Sequence, residues 1–193
     1  IASNPNVTGS NNGTNLTVQQ SVGAAGSITG TATVCAGQNS VAYSVAAITN
    51  ATTYNWNLPS GATIASGTGT NSILVDYSGA AISGTVTVAG ANNCFNGTTS
   101  PAFNVTVNPL PTALSAITGS ATCVGQSATF NVSTNPTAVT YNWSLTGGGT
   151  IASGNGTTSI TANFSSASTG TLSVSGVNSC GSGSPSTLAI NVI

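Results

Sequence analysis

The chain contains no Lys, Arg, His, Glu or Met, and Asp76 carries its only side chain charged at neutral pH. Each absence removes a class of chemistry. General acid–base catalysis, Ser/His/Asp or Cys/His nucleophile activation and lysine Schiff bases all need titratable partners that are missing. Metal hydrolysis draws on His and carboxylate ligands, and nucleic-acid binding needs a basic surface. No stretch reaches the length of an apolar membrane span, and no window keeps a helical period for three turns. The expectation is a non-enzymatic protein with no cofactor, no metal, no nucleic-acid partner and no membrane span. Its function would rest on shape, backbone hydrogen bonding and self-association.

What remains is polar and rich in strand formers. Ser, Thr and Asn supply 82 of the 193 residues and Gly another 24. Such a composition suits disorder, but Val, Ile and Thr alternate with polar residues along much of the chain, as a half-buried pleated surface requires. The fold class expected is all-β.

Laid against itself, the chain repeats. Ile28-Thr29-Gly30 returns as Ile117-Thr118-Gly119, and Cys35-Ala36-Gly37-Gln38 as Cys123-Val124-Gly125-Gln126. Tyr54-Asn55-Trp56-Asn57-Leu58 returns as Tyr141-Asn142-Trp143-Ser144-Leu145, and Ile64-Ala65-Ser66-Gly67 as Ile151-Ala152-Ser153-Gly154. Asn93-Cys94 is answered by Ser179-Cys180. Several uncommon residues keep register together, which marks a tandem duplication. Each copy reads as seven short strands separated by turn signals, the pattern of a Greek-key sandwich. In the first copy the strands fall near 28–34 (A), 41–45 (B), 53–58 (C), 63–65 (a short C′), 72–77 (E), 84–89 (F) and 102–107 (G). The domains expected are a tail over 1–27, repeat one over 28–108, a Pro-containing linker over 109–116 and repeat two over 117–193. Within the tail, Asn15-Leu16-Thr17-Val18 reads as a lone strand. A lone strand lacks the sheet it needs, so it either closes onto repeat one or adds to a neighbouring subunit.

The run Val34-Cys35-Ala36-Gly37-Gln38, Tyr54-Asn55-Trp56-Asn57-Leu58-Pro59-Ser60-Gly61-Ala62, Thr70-Asn71-Ser72-Ile73 and Asn93-Cys94 resembles the PKD-like, immunoglobulin-like repeats of large bacterial surface proteins. The resemblance covers residues 28–193 in two copies. It implies two tandem Ig-like β-sandwiches in an extracellular adhesin or filament, exported to the cell surface.

Individual residues have plain structural readings. Trp56 and Trp143, each two residues after Tyr54 or Tyr141, are read as core residues rather than sugar platforms, since both hold the same repeat position on strand C. Asp76 lacks the companion carboxylates a calcium site wants and is read as an acceptor for turn amides. Ten Asn-X-Ser/Thr triplets, among them Asn12, Asn50, Asn96 and Asn155, follow from the composition; the hydroxyl-rich surface leaves a glycan coat open.

The four cysteines, without His or CxxC spacing, argue for disulfides and an extracellular location. Pairing within each repeat would join Cys35 to Cys94 and Cys123 to Cys180, closing loops worth about 4 kcal/mol each. However, alternating strand directions put the A–B turn and the F–G loop at opposite ends of a sandwich, too far apart for a disulfide. The alternative joins Cys35 to Cys180 and leaves Cys94 and Cys123 facing neighbouring subunits. The leading functional expectation is a structural unit of an extracellular filament or adhesin stalk, with self or neighbouring repeats as partners. The second is a carbohydrate- or surface-binding module, for which Phe95, Phe103, Phe164 and the strand tyrosines are the only aromatics on offer.

Overall fold

The structure is a computed structural model that describes residues 10–11, 14–15, 20–120 and 123–193. All regular structure among these residues is β-strand. The chain divides into two units, Ile1–Asn108 and Pro109–Ile193.

The first unit opens with a small antiparallel pair, β1 (Ser10–Asn11) and β2 (Thr14–Asn15), in which Ser10 faces Asn15. Of the candidate inter-subunit strand, Asn15 therefore lies in β2, and Leu16, Thr17 and Val18 lie outside the described residues. Eight strands then form two four-stranded sheets. One has the order β3 (Thr29–Gly30), β5 (Val41–Ser44), β8 (Ser72–Tyr77), β7 (Ala62–Ser66). The other has the order β4 (Thr33–Cys35), β10 (Phe103–Asn108), β9 (Gly84–Ala91), β6 (Thr53–Asn57). Alternation fixes the inner face of each: Val41 and Tyr43, Ile73, Val75 and Tyr77 from the first sheet meet Val34, Val86, Val88, Val105 and Val107 from the second in one core.

Two strands depart from the sequence expectation. The segment read as a single strand A is split, Thr29–Gly30 pairing antiparallel with β5 and Thr33–Cys35 pairing parallel with β10. Gly30 lies over the Tyr43 ring so closely that a Cβ would collide with it, which suits a strand changing sheets at that point. The strand read as C′ pairs with β8, not with β6, so it belongs to the opposite sheet. Its repeated Ile-Ala-Ser-Gly motif is a β-bulge followed by a turn. The register slips between Ile64 and Ser66, and again between Ile151 and Ser153. Gly67 and Gly154 then sit at φ +83° and +86°, the left-handed region that favours glycine.

The second unit repeats the plan with β11 (Ser127–Asn131), β14 (Ser159–Phe164) and β13 (Gly149–Ser153) in one sheet. The other sheet holds β12 (Thr140–Leu145), β15 (Ser168–Asn178), β16 (Gly181–Ser182) and β17 (Ser186–Val192). Its core gathers Phe130, Trp143, Ile160, Phe164, Leu172, Val174, Ile190 and Val192. The protein is thus a pair of tandem β-sandwiches.

The segments read as tail and linker are tied into the units. Gly23 N–H donates to the Thr49 carbonyl and Ala25 N–H to that of Thr98, and Ala25 is buried. Likewise Asn135 Nδ2 donates to the Thr112 carbonyl, and Leu114 packs on the second core.

Candidate interaction site at the cysteine turns

Each repeat carries one cysteine at either end. At one end, Cys35-Ala36-Gly37-Gln38 forms a tight turn in which the Gln38 N–H donates to the Cys35 carbonyl at 3.0 Å. The Gln38 side-chain oxygen accepts from the Cys35 N–H at 2.9 Å, and Gly37 holds φ +85°, as the third position of a type II turn requires. The turn is fastened to the sheet edge: Tyr77 N–H donates to the Gln38 carbonyl, as Phe164 N–H does to that of Gln126 in the second copy. Cys35 ends β4 directly beside Asn108, the last residue of the unit. Asp76 contributes here by accepting the Ser40 N–H at 2.8 Å, where Ser40 takes φ +57°.

At the other end, Cys94 and Cys180 sit in equivalent turns, each organised by an asparagine two residues earlier. Asn92 Oδ1 accepts the Cys94 and Phe95 N–H groups, and its Nδ2 donates to the carbonyls of Gln20 and Asn50. Asn178 Oδ1 accepts the Cys180 N–H at 2.8 Å, and its Nδ2 donates to the carbonyls of Pro109 and Thr137. A single amide therefore ties the cysteine turn to the start of its own repeat and to the loop before strand C. Sequence reasoning passed over both asparagines. Their common position two residues before cysteine was visible, but Asn is too abundant here for that spacing to stand out.

The two ends of a repeat are far apart. Cys35 lies next to Asn108, beyond the residues of β10 that pair with Val86 to Gly84 at the start of β9. Cys94 follows Ala91 at its end. The length of β9 separates them, roughly 23 Å at ~3.3 Å per residue, against a disulfide limit of about 7 Å between Cα atoms. The same holds in the second copy, where Val124 N–H donates to the Ile193 carbonyl while Cys180 caps the far end of β15. Cys35 and Cys180 are disulfide-bonded. Cys94 is an exposed free thiol, and Cys123 is exposed.

The Tyr-x-Trp signature holds loops at the same end as Cys94 and Cys180. Tyr54 Oη accepts the Ile48 N–H and Tyr141 Oη that of Asn135. Trp56 Nε1 donates to the Thr70 carbonyl at 2.9 Å, and Trp143 Nε1 to that of Thr157 at 2.8 Å. Tyr141 and Trp143 are buried, while Tyr54 and Trp56 are half-buried against the core. A polar pair inside the first core was also not foreseen: Tyr43 Oη donates to the Thr31 carbonyl and lies 2.8 Å from Tyr77 Oη. Burial pushes both hydroxyls above the ordinary tyrosine range, reinforced at Tyr43 by the Tyr77 hydroxyl. The second repeat puts Phe130 and Phe164 in these places, edge to face at 6.4 Å.

A family model for the PKD-like domain matches residues 20–105 and again residues 110–190. The chain belongs to the PKD-like domain family. The first PKD-like match ends three residues before Asn108, where the first unit ends, and the second falls within three residues of both ends of the second unit, Pro109–Ile193. Comparison with curated protein sequences gives no match. Among solved structures, a titin fragment is 12% identical with a TM-score of 0.45, covering 82% of this chain and 59% of that one. The FN1–FN3 domains of chicken CNTN1 are 14% identical with a TM-score of 0.41, covering 88% and 66%. A C-terminal 282-residue fragment of intimin, in complex with the intimin-binding domain of its translocated receptor, is 14% identical with a TM-score of 0.41, covering 87% and 64%. The chain thus spans 59% to 66% of the length of these three structures.

Proposed function

We propose that the PKD-like pair is a structural link of an extracellular filament or cell-surface adhesin stalk, repeats following one another end to end. The observation that carries this reading is the Cys35–Cys180 disulfide, which joins one repeat covalently to the next. A protein that only displayed a binding face would gain little from such a bond, whereas a chain under tension gains resistance to extension. The near-absence of charge fits as well, since little repulsion keeps copies apart. The disulfide is consistent with an oxidising extracellular location.

Electron microscopy of native cell-surface material, labelled with an antibody to the second repeat, tests the proposal. Periodic labelling along fibres or stalks is expected. Label confined to globular particles, together with reproducible binding of the purified pair to defined glycans, would move the assignment to a carbohydrate-binding module.

A further inference from the structure

We infer that the Cys35–Cys180 disulfide is a redox-gated limit on extension, which takes most of the chain off the path of any load pulling on its two ends. This deepens the stalk reading above, and rests on it for the load itself. The argument is one of connectivity. The bond joins the end of β4 to the turn that follows β15, so residues 36–179 form the interior of a closed covalent loop. Tension applied before Cys35 and after Cys180 runs along the chain to Cys35, crosses the sulfurs and continues from Cys180. Among the described strands, only β1 to β4, β16 and β17 lie on that route. Strands β5 to β15 lie off it, with both Tyr-x-Trp signatures and the Asn108–Pro109 joint between the units. At full stretch it is the disulfide, and not the linker, that holds one unit to the other.

Both sulfurs are seated on strands that the shielded part of each sandwich grips. β4 pairs in parallel with β10 from Thr33–Thr106 to Cys35–Asn108, and Val34 between them is buried. β17, which carries the load away from Cys180, pairs with β15 along seven residues from Ser186 to Val192. These hydrogen bonds resist first; once they yield, the covalent loop sets how far the chain can go. The loop hides roughly 140 residues, on the order of 500 Å of extended chain. The route outside it is roughly 50 residues, on the order of 170 Å.

Reduction opens the limit. A thiol attacks one sulfur and leaves a mixed disulfide, which a second thiol resolves. Cys35 and Cys180 together gain two electrons and two protons, and the two attacking thiols become a disulfide. Both cysteines are half-buried, which restricts a thiol's access while the units stay folded.

The test is single-molecule stretching of the whole 193-residue chain between handles fused to its ends, with dithiothreitol as the reductant. The oxidised native chain should stop short of its full contour by on the order of 500 Å, and dithiothreitol should release that length. Cys94→Ser should behave as the native chain does. The double variant Cys35→Ser/Cys180→Ser should reach full contour with or without reductant. That outcome holds whether or not the variant folds, because only the stretched length is read. Three results would overturn the inference: an oxidised native chain that reaches full contour; a limit that dithiothreitol leaves in place; or Cys94→Ser hiding only on the order of 200 Å, the length of one loop of about 60 residues closed inside a repeat. Labelling of native material separates this from the stalk reading. Full contour in the oxidised chain, with label along fibres, sinks the limit and keeps the stalk. A thiol-released limit, with label confined to globular particles, keeps the limit and sinks the stalk.

Discussion

Replacing Cys180 by serine should lower the stability of both repeats, not only of the repeat that carries it. The reason lies in where each sulfur is held. Cys35 is fastened beside Asn108 at the end of its own unit, and Asn178 fastens the Cys180 turn to Pro109 at the start of the other. With the disulfide intact, unfolding of either unit alone still leaves a closed loop of roughly 70 residues, worth about 4 kcal/mol in the chain-entropy account. For domains of this size that is a fall in Tm of roughly 15–30 °C for each unit. The assay is hydrogen-exchange mass spectrometry along a urea series, which assigns each transition to its own peptides; Cys94→Ser should serve as the parent to prevent exchange with the free thiol. A shift confined to residues 109–193 would refute the reasoning, because it is the signature of a bond lying wholly inside the second repeat. No shift in either unit would also refute it.

Other consequences follow from the first core and the turns. Tyr43→Phe should cost about 1–3 kcal/mol by stranding the buried Tyr77 hydroxyl, and adding Tyr77→Phe should recover much of it, a coupling measurable by urea denaturation. Both tyrosines have folded pKa values raised by burial. The unfolded chain therefore ionises first, and the stability is full below a pH of about 10 and is lost as pH rises above it. The slope is at most about 1.4 kcal/mol per pH unit for each tyrosine. Alkaline melts should accordingly lower the first repeat relative to the second, which has phenylalanines at these positions. Asn92→Ala should destabilise the first repeat by about 2 kcal/mol through loss of its clamp on Gln20, Asn50 and the Cys94 turn; a change under a few tenths in chemical denaturation would deny the clamp any role. Gly67→Ala should cost about 1–3 kcal/mol in the same assay, since its φ is left-handed and a Cβ would collide with the Ser72 carbonyl.

Much of this was legible in the chain because the duplication repeats its least common residues. Cys-x-Gly-Gln recurred at the expected A–B turn, and Ile-Ala-Ser-Gly marked a second recurring element that proved to be a bulge and turn. Val86, Val88, Val105 and Val107 alternate with Thr, Ala or Asn along their strands, and that face is the one in the core. What stayed hidden depended on partners distant in sequence. The change of sheet after Gly30 is set by the Tyr43 ring packed against it, and a three-residue strand such as Ala65 and its neighbours does not declare which sheet it joins. The Asn92 and Asn178 clamps act through side-chain amides on chain segments tens of residues away. Nor did the sequence comparison draw attention to Tyr43 and Tyr77 against Phe130 and Phe164, because the hydroxyl pair has meaning only once the two strands are neighbours.

The most direct test of the account is disulfide mapping of native cell-surface material, digested by pepsin at low pH so that exchange is quenched. The account predicts a peptide pair joining Cys35 to Cys180. Recovery of Cys35 with Cys94 and Cys123 with Cys180 would contradict it.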